Sequence, residues 1–469
     1  MALDSGRRAL PRDCLSDLPD AILVSVLSLL RLDEAARCTI LASRWRRLFT
    51  STLLDFNTYM PDRRDVVEAV NSILAAHPTA PIRSFRTSGS FQDGWIEDLA
   101  RRGVQQLSLG FGLDFWWNDD ERLRIPASLF ACTSLTHLSA RSCIFPDASM
   151  TAAGAPHLAC LTEVNLFDVT ICDESLNSLI SQCKALERLE MMGISNCGRV
   201  RVRSPSLKFL NCDGYIDELF IEHAPNLEWL HGRYMYMKGR LDEGVYLKVE
   251  HAPKLEFIGY ISMSLHAIKI GESILSEERI CVKTLMPSMK MLAVNVCYTR
   301  KGYINWIIQL LKIFPCLETL HIRWMLKFIW CFLQSDAWSC IQAAAQESWD
   351  VLTCIPCVDN HLQKVIFEVY RGHEWQREMA KFLHGRSMFL KAMEFHCMEE
   401  TSAPGDRPFK VPSEEWVREQ KELLGLDSRA SKDARFLFFK HQLACNHLDF
   451  AHNNERHNKG QYDNDLFDV

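Results

Sequence analysis

Two rhythms of apolar residues run along this chain. Between residues 15 and 49 the spacing is helical: Ile22, Val26 and Leu29 fall on one line, with Leu23, Leu27 and Leu30 beside it. Ser16 and Asp17 flank the start, and Pro19 suits a first turn, where its missing N–H costs nothing. The pattern predicts one helix ending at Arg31-Leu32, a second over Glu34–Leu41 capped by Asp33, and a third short one from Ser43 through Trp45 to Phe49. Beyond residue 100 a different phrase recurs, apolar-x-x-apolar-x-apolar, which predicts a short half-buried strand each time.

That phrase opens at Val104/Leu107/Leu109. It returns at Leu135/Leu138/Ala140, Leu161/Val164/Leu166, Leu186/Leu189/Met191 and Leu207/Leu210/Cys212, then at Leu227/Leu230, Leu255/Ile258, Met289/Leu292/Val294 and Leu317/Leu320/Ile322. From Leu135 to Leu255 the steps are 26, 25, 21, 20 and 28 residues, within the period of about 20–29 residues of leucine-rich repeats. Such a unit cannot bury its apolar face alone, so neighbours stack into a solenoid with an extended binding surface. Cys143 and Cys297 fall eight residues after their repeats' first apolar position, where such repeats bury an Asn or Cys at the turn out of the strand. Ala155-Pro156, Ser204-Pro205, Ala224-Pro225 and Ala252-Pro253 open repeats, a position where proline loses no ladder bond.

The greasy first helix needs a partner, because three short helices bury little by themselves. Leu18-Pro19-Asp20, the apolar line that follows and Leu41-Ala42-Ser43-Arg44-Trp45-Arg46 together resemble a plant-type F-box. Arg31 stands where that motif commonly has Pro, and Ala42 where Ser is common. The resemblance implies docking onto a Skp-type adaptor, and through it onto a cullin–RING ubiquitin ligase. Leu18, Pro19, Ile22, Val26, Leu27, Leu30, Leu41 and Trp45 would form the contact face.

Further on, Leu362-x-x-Val365-x-Phe367-x-Val369 predicts a strand and Arg371-Gly372-His373 a turn. A helix over 374–385 follows, with Trp375, Met379, Phe382 and Leu383 inward, and Leu390-x-x-Met393-x-Phe395 repeats the strand phrase. This strand–helix–strand unit is similar to the FBD domain that follows the repeats in many plant F-box proteins. The resemblance rests on Cys357, Leu362, Tyr370-Arg371-Gly372, Ala380-Lys381-Phe382 and Leu390-Lys391-Ala392-Met393. Trp416–Phe436 resembles that family's usual ending. The expected fold is α/β: an N-terminal three-helix F-box, then an irregular leucine-rich-repeat solenoid with an FBD-like α/β C-terminal cap. In residues this reads as a flexible N-terminus (1–13), F-box (14–55), connector (56–100), solenoid (101–353), FBD-like segment (354–400), family-type extension (401–438) and disordered polar tail (439–469).

Composition trims the alternatives. With 53 Lys+Arg against 59 Asp+Glu the net charge is -6, against a general nucleic-acid binder. Tyr303–Phe314 and Trp324–Leu333 are each shorter than the about 20 apolar residues that cross a bilayer, so no membrane partner is expected. No apolar h-region opens the chain, and its 18 cysteines read as reduced, which suggests cytoplasm or nucleus. Cys354-Ile-Pro-Cys357 with His361 lacks a second ligand pair for a structural zinc, and no phosphate-loop, dinucleotide, zincin or nucleophile-elbow motif occurs, so neither cofactor nor metal is expected. Two features stand out as target-binding candidates. The aromatic run Phe115-Trp116-Trp117 offers interface anchors or a tucked loop, and Arg199-x-Arg201-x-Arg203 offers an acid grip or a charge-guarded edge strand. The reading is a non-catalytic substrate receptor of a Skp–cullin–F-box ligase that holds an unspecified target protein. A repeat-based scaffold without degradation is the alternative.

Overall fold

The computed structural model describes residues 18–30, 32–49, 52, 54–56, 66–88, 92–110, 122–147, 158–214, 216–232, 246–262, 267–276, 279–296, 303–324, 354–397, 399–400, 409–410 and 413–440. The chain forms two compact units, Met1–Asn165 and Leu166–Val469. It is mixed α/β, and its sheets are open rather than closed into a barrel.

In the first unit α1 (Asp20–Leu29), α2 (Leu32–Cys38) and α3 (Ser43–Phe49) come first. β1 (Leu54–Phe56), α4 (Val66–Ala76), β2 (Ile82–Ser88), α5 (Asp93–Arg101), β3 (Gln106–Gly110), β4 (Leu123–Arg124), β5 (His137–Arg141) and β6 (Cys143–Ile144) follow, and the unit boundary falls within β7 (Glu163–Phe167). β1, β2, β3 and β5 lie side by side and parallel, which stacks Phe56, Phe85, Leu107 and Leu138 in one buried row. The parallel sheet therefore starts at Leu54, ahead of the recurring phrase. The signal at β2 is Ile82-x-x-Phe85-x-Thr87, with a threonine where the phrase expects a third apolar residue. α2 stops at Cys38 instead of reaching Leu41. The amides of Thr39, Ile40 and Leu41 turn back three residues to Ala36, Arg37 and Cys38, and the Thr39 hydroxyl takes the Ala36 carbonyl at 2.6 Å.

In the second unit α6 (Asp173–Gln182) is followed by strands that alternate between two sheets: β8 (Arg188–Ile194), β9 (Arg199–Arg203), β10 (Phe209–Gly214), β11 (Glu218–His223), β12 (Trp229–His231), β13 (Tyr246–Val249), β14 (Phe257–Ser262) and β15 (Ala267–Ile270). The even-numbered ones form a parallel sheet. The odd-numbered ones form a second parallel sheet, extended antiparallel by β16 (Ser273–Ser276) and β17 (Ile280–Cys281). Between Arg188 and Ile270 each repeat thus carries two strands where one was expected. The return path in steps of 20 and 21 residues is too short for a helix and its turns. Alternation in Val200-x-Val202, Leu219-x-Ile221, Leu247-x-Val249 and Ile268-x-Ile270 buries these residues on one face of the second sheet.

The first sheet continues through β18 (Met291–Val296), helix α7 (Tyr303–Ile313) and β19 (Thr319–Trp324), then α8 (Pro356–Asn360) and β20 (Lys364–Tyr370). After α9 (Glu374–Arg386) come β21 (Ala392–Cys397) and the short pair β22 (Glu399–Glu400) and β23 (Phe409–Lys410). α10 (Glu414–Leu423) and β24 (Arg435–Lys440) end the described chain. β20, β21 and β24 all add in parallel to the same sheet, so the C-terminal segment prolongs the repeats rather than standing apart from them. Within α9, Met379 and Leu383 point inward as the pattern demands. Trp375 and Phe382 are only half-buried, and Gln376, Ala380 and His384 take the buried positions. The reason is a polar clasp: Gln376 Oε1 accepts from the Arg371 amide at 2.8 Å and the His373 amide at 3.3 Å, while its Nε2 donates to the Val369 carbonyl at 3.1 Å.

His384 locks the end of this unit. Its Nε2 donates to the Leu424 carbonyl at 3.1 Å, and its ring meets Phe436 edge-on at 5.7 Å. Burial lowers its pKa below the ordinary imidazole value, with Lys381 and Arg429 also opposing a second proton. The unfolded chain takes up that proton near pH 6.5, so the stabilisation is complete above that value and is lost as pH falls. Melting temperatures between pH 7.5 and 5.0 are expected to fall more steeply for the wild-type chain than for His384→Gln.

Candidate functional site

Three places in the chain carry the candidate residues. The first is the helical module α1–α3. Its core is Leu23, Leu27, Ala35, Trp45 and Leu48, against which Leu18, Val24, Leu30, Cys38 and Phe49 pack. Pro19 accepts from the amides of Ile22 and Leu23 at 3.0 and 3.2 Å, so it starts α1. Arg44 of α3 clamps that start, bonding Asp20 Oδ1 at 2.6 and 2.8 Å and the Leu18 carbonyl at 2.6 Å.

The eight candidate contact residues divide by burial. Leu27 and Trp45 sit inside the module, Leu18 and Leu30 pack on its core, and Pro19, Ile22, Val26 and Leu41 face solvent. On α1 the exposed apolar side chains are Ile22 (48%), Val26 (37%) and Leu29 (80%), one stripe at i, i+4 and i+7. Ile40 and Leu41, beyond α2, are 82% and 67% exposed. Leu29 and Ile40 were not among the candidates. The signal for Leu29 was its place on the Ile22/Val26 line, and Ile40 becomes visible only because α2 ends early.

The second place is the face of the main sheet in the second unit opposite the leucine row, and most of it is buried. In-register pairing aligns Phe209, Trp229 and Phe257, with the Arg188 guanidinium 3.6 Å over Phe209 and the Trp229 and Phe257 rings 4.7 Å apart. Two β-bulges shape the polar part beside this shelf. β14 advances from Ile258 to Ile261 while β18 advances from Leu292 to Val294, and β20 advances from Phe367 to Tyr370 while β21 advances from Phe395 to Cys397. The extra residues include Tyr260 and Glu368, and Val369 stands at φ 62°, a strained region for a β-branched residue. The Tyr260 hydroxyl donates to Glu368 Oε2 at 3.3 Å and lies 3.3 Å from His321 Nδ1, while His321 Nε2 and Arg323 Nε approach Glu368 at 3.4 and 3.7 Å. The result is a charge-compensated polar centre beside an aromatic cluster, in which Tyr260, His321, Phe257 and Phe209 are buried. None of its residues was nominated from the sequence, because their proximity depends on strands 61 and 108 residues apart.

The third place is β9. Arg199, Arg201 and Arg203 project from it to solvent while Val200 and Val202 are buried. β9 is the edge of the second sheet, and α6 closes that edge. Asp173 Oδ1 accepts the amides of Gly198 and Arg199 at 2.8 and 3.2 Å, and Asn177 accepts from the Arg201 amide at 2.7 Å and donates to the Arg199 carbonyl at 3.1 Å. Phe115, Trp116 and Trp117 lie outside the described residues, as does Cys297. Cys143 is buried where the chain leaves β5.

The Cys354/Cys357 pair splits. Cys357 is buried, its thiol donates to the Leu311 carbonyl at 3.4 Å, and burial pushes its pKa up to about 12. Cys354 is exposed and bonds Asp359, which raises its pKa. Among the described residues no group of three or more His, Cys, Asp or Glu is placed to hold a metal ion, and no helix is long and apolar enough to cross a membrane.

These features define a leucine-rich-repeat protein with a helical N-terminal module. Residues 92–322 match the family model of the leucine-rich repeats of the FBD-associated F-box protein At5g56370. The F-box/FBD/LRR-repeat protein At1g13570 of Arabidopsis thaliana is 31% identical over 230 residues, 46% of this chain and 52% of that protein. At5g56420 and At2g04230, two F-box/FBD/LRR-repeat proteins of the same plant, are 23% and 25% identical, over 81% and 82% of this chain and 90% and 88% of their own lengths. The chain thus spans about half of the first of these relatives and most of the other two. Its similarity throughout is to F-box/FBD/LRR-repeat proteins.

The split between buried and exposed positions in α1–α3 has a measurable consequence. Trp45→Ala is expected to cost the module about 3–5 kcal/mol, and Ile22→Ala within about 0.5 kcal/mol. Hydrogen exchange of the α1–α3 amides in the full chain reads both values.

Proposed function

We propose that this chain is the substrate-recognition subunit of a Skp–cullin–F-box ubiquitin ligase. In this reading α1–α3 is the F-box, and the β20–α9–β21 segment corresponds to the FBD. The observation that carries the proposal is the exposed apolar stripe Ile22/Val26/Leu29, joined in exposure by Ile40 and Leu41. A module this small gains nothing from leaving five large apolar side chains in water unless a partner covers them. The F-box names of the relatives supply the class of partner, a Skp-type adaptor.

Leu27 and Trp45 then act indirectly. They hold α1 against α3 and so present the stripe, while Pro19, Ile22, Val26 and Leu41 touch the adaptor. The repeats hold the target. Catalysis is by proximity. Tethering adaptor and target on one chain raises the target's effective concentration at the ubiquitin-loaded enzyme, and no group of this chain has to react.

Binding of a purified Skp-type adaptor tests the reading. Ile22→Asp/Val26→Asp changes exposed positions and should leave circular dichroism unchanged while weakening binding at least about thirtyfold, the effect of losing an apolar anchor of about 2 kcal/mol. Failure of the wild-type chain to bind any such adaptor would leave a scaffold built on the repeats as the better account.

A further inference from the structure

The outward face of the second sheet gathers charge that no adaptor-docking role uses. Register places Arg201, Phe220, Lys248 and Lys269 in one row across β9, β11, β13 and β15. Arg199 and Arg203 flank that row on β9, and Glu218, Glu222 and Glu250 lie among them, so five cations meet three carboxylates. The two signs are not equally accessible. The side chains of Arg199, Arg201 and Arg203 are 70%, 54% and 72% exposed, whereas Glu222, which pairs with both Arg201 and Arg203, is 8% exposed. At β9 solvent therefore meets guanidinium above and Glu222 beneath, while past the end of β13 Glu250 (47%) is more exposed than Lys248 (27%), on a chain whose net charge is -6.

The Lys248 ammonium stands 3.8 Å over the Phe220 ring and 2.8 Å from Glu250. Between these strands lies an open basin of about 690 Å³ lined by Arg203, Phe220, Glu222, His223, Lys248 and Glu250. The backbone edge beside it is already closed by Asp173 and Asn177, which rules out strand addition at β9 and leaves docking on the face.

We propose that this face binds an extended acidic segment of a partner protein, with carboxylates at every second residue. Alternate residues of β9 stand about 6.6–6.8 Å apart, the spacing of same-face side chains in any extended chain, so a Glu-x-Glu-x-Glu segment matches Arg199, Arg201 and Arg203 in pitch. Each guanidinium has five N–H donors, and sharing one carboxylate leaves donors for a ligand. Glu250 at the rim disfavours a continuous phosphate backbone, which cannot skip a position as a peptide can. The surface is distinct from α1–α3, so the proposal stands or falls independently of adaptor docking.

Fluorescence anisotropy of the full chain with a labelled Glu-Ser-Glu-Ser-Glu-Ser peptide tests it. Binding at low salt that is absent for the Gln-Ser counterpart and weakened at least about fivefold in Arg201→Gln/Arg203→Gln is the expected result, with matching loss at high ionic strength. Lys248→Gln, which leaves the Glu222 pairs intact, should weaken binding too and guards against misfolding of the double variant. No binding by the wild-type chain, equal binding by both variants, or tighter binding of an oligouridylate of equal charge would overturn the proposal.

Discussion

No turn of this chain can bury its own apolar edge, and the whole second unit follows from that constraint. Parallel pairing sets Leu189, Leu210, Leu230, Ile258, Leu292, Leu320, Val365, Met393 and Phe436 in one continuous row, each flanked on both sides except Phe436 on the last strand. A one-residue slip anywhere would move that row to the other face and put half-exposed Arg188 or Lys364 in its place, so register is strongly specified. The row also explains why the C-terminal segment joins the repeats. Phe367 stacks on Phe395 at 5.3 Å, and Phe395 stacks on Phe438 at 4.7 Å, so the last strands cover an edge that the repeats would otherwise expose.

The N-terminal module solves the same problem differently. Its first helix carries two apolar lines about 100° apart, and three short helices have room to bury one. Leu23 and Leu27 go inside with Trp45, and Ile22, Val26 and Leu29 stay outside. Burial and contact are separate jobs that one sequence motif mixes together, which is why a list of motif positions does not distinguish the residues that build the module from those that can touch a partner.

Local departures from regular structure mark where side chains are re-aimed. The bulges in β14 and β20 lie on either side of β18 and β19 and bring Tyr260 and Glu368 within hydrogen-bonding distance across them. Gly259 belongs to the first bulge, and an added Cβ there would stand 2.7 Å from both Ala293 and Phe257. At β9 the departure is a helix: α6 spends Asp173 and Asn177 on the strand's free amides and so turns an edge into a one-sided face.

The amino-acid sequence by itself determined the repeat period, the inward positions of the main sheet, the three N-terminal helices and the helix of the C-terminal segment. These are set by local periodicity, which short-range sterics and apolar burial impose directly. Tertiary structure decided the rest: the start of the sheet at Leu54, the second strand in the short repeats, the sorting of Leu27 and Trp45 from Ile22 and Leu41, and the company kept by Tyr260, His321 and Phe220. Each of these depends on which distant segment lies alongside, and a one-dimensional pattern carries no record of its neighbours across the sheet.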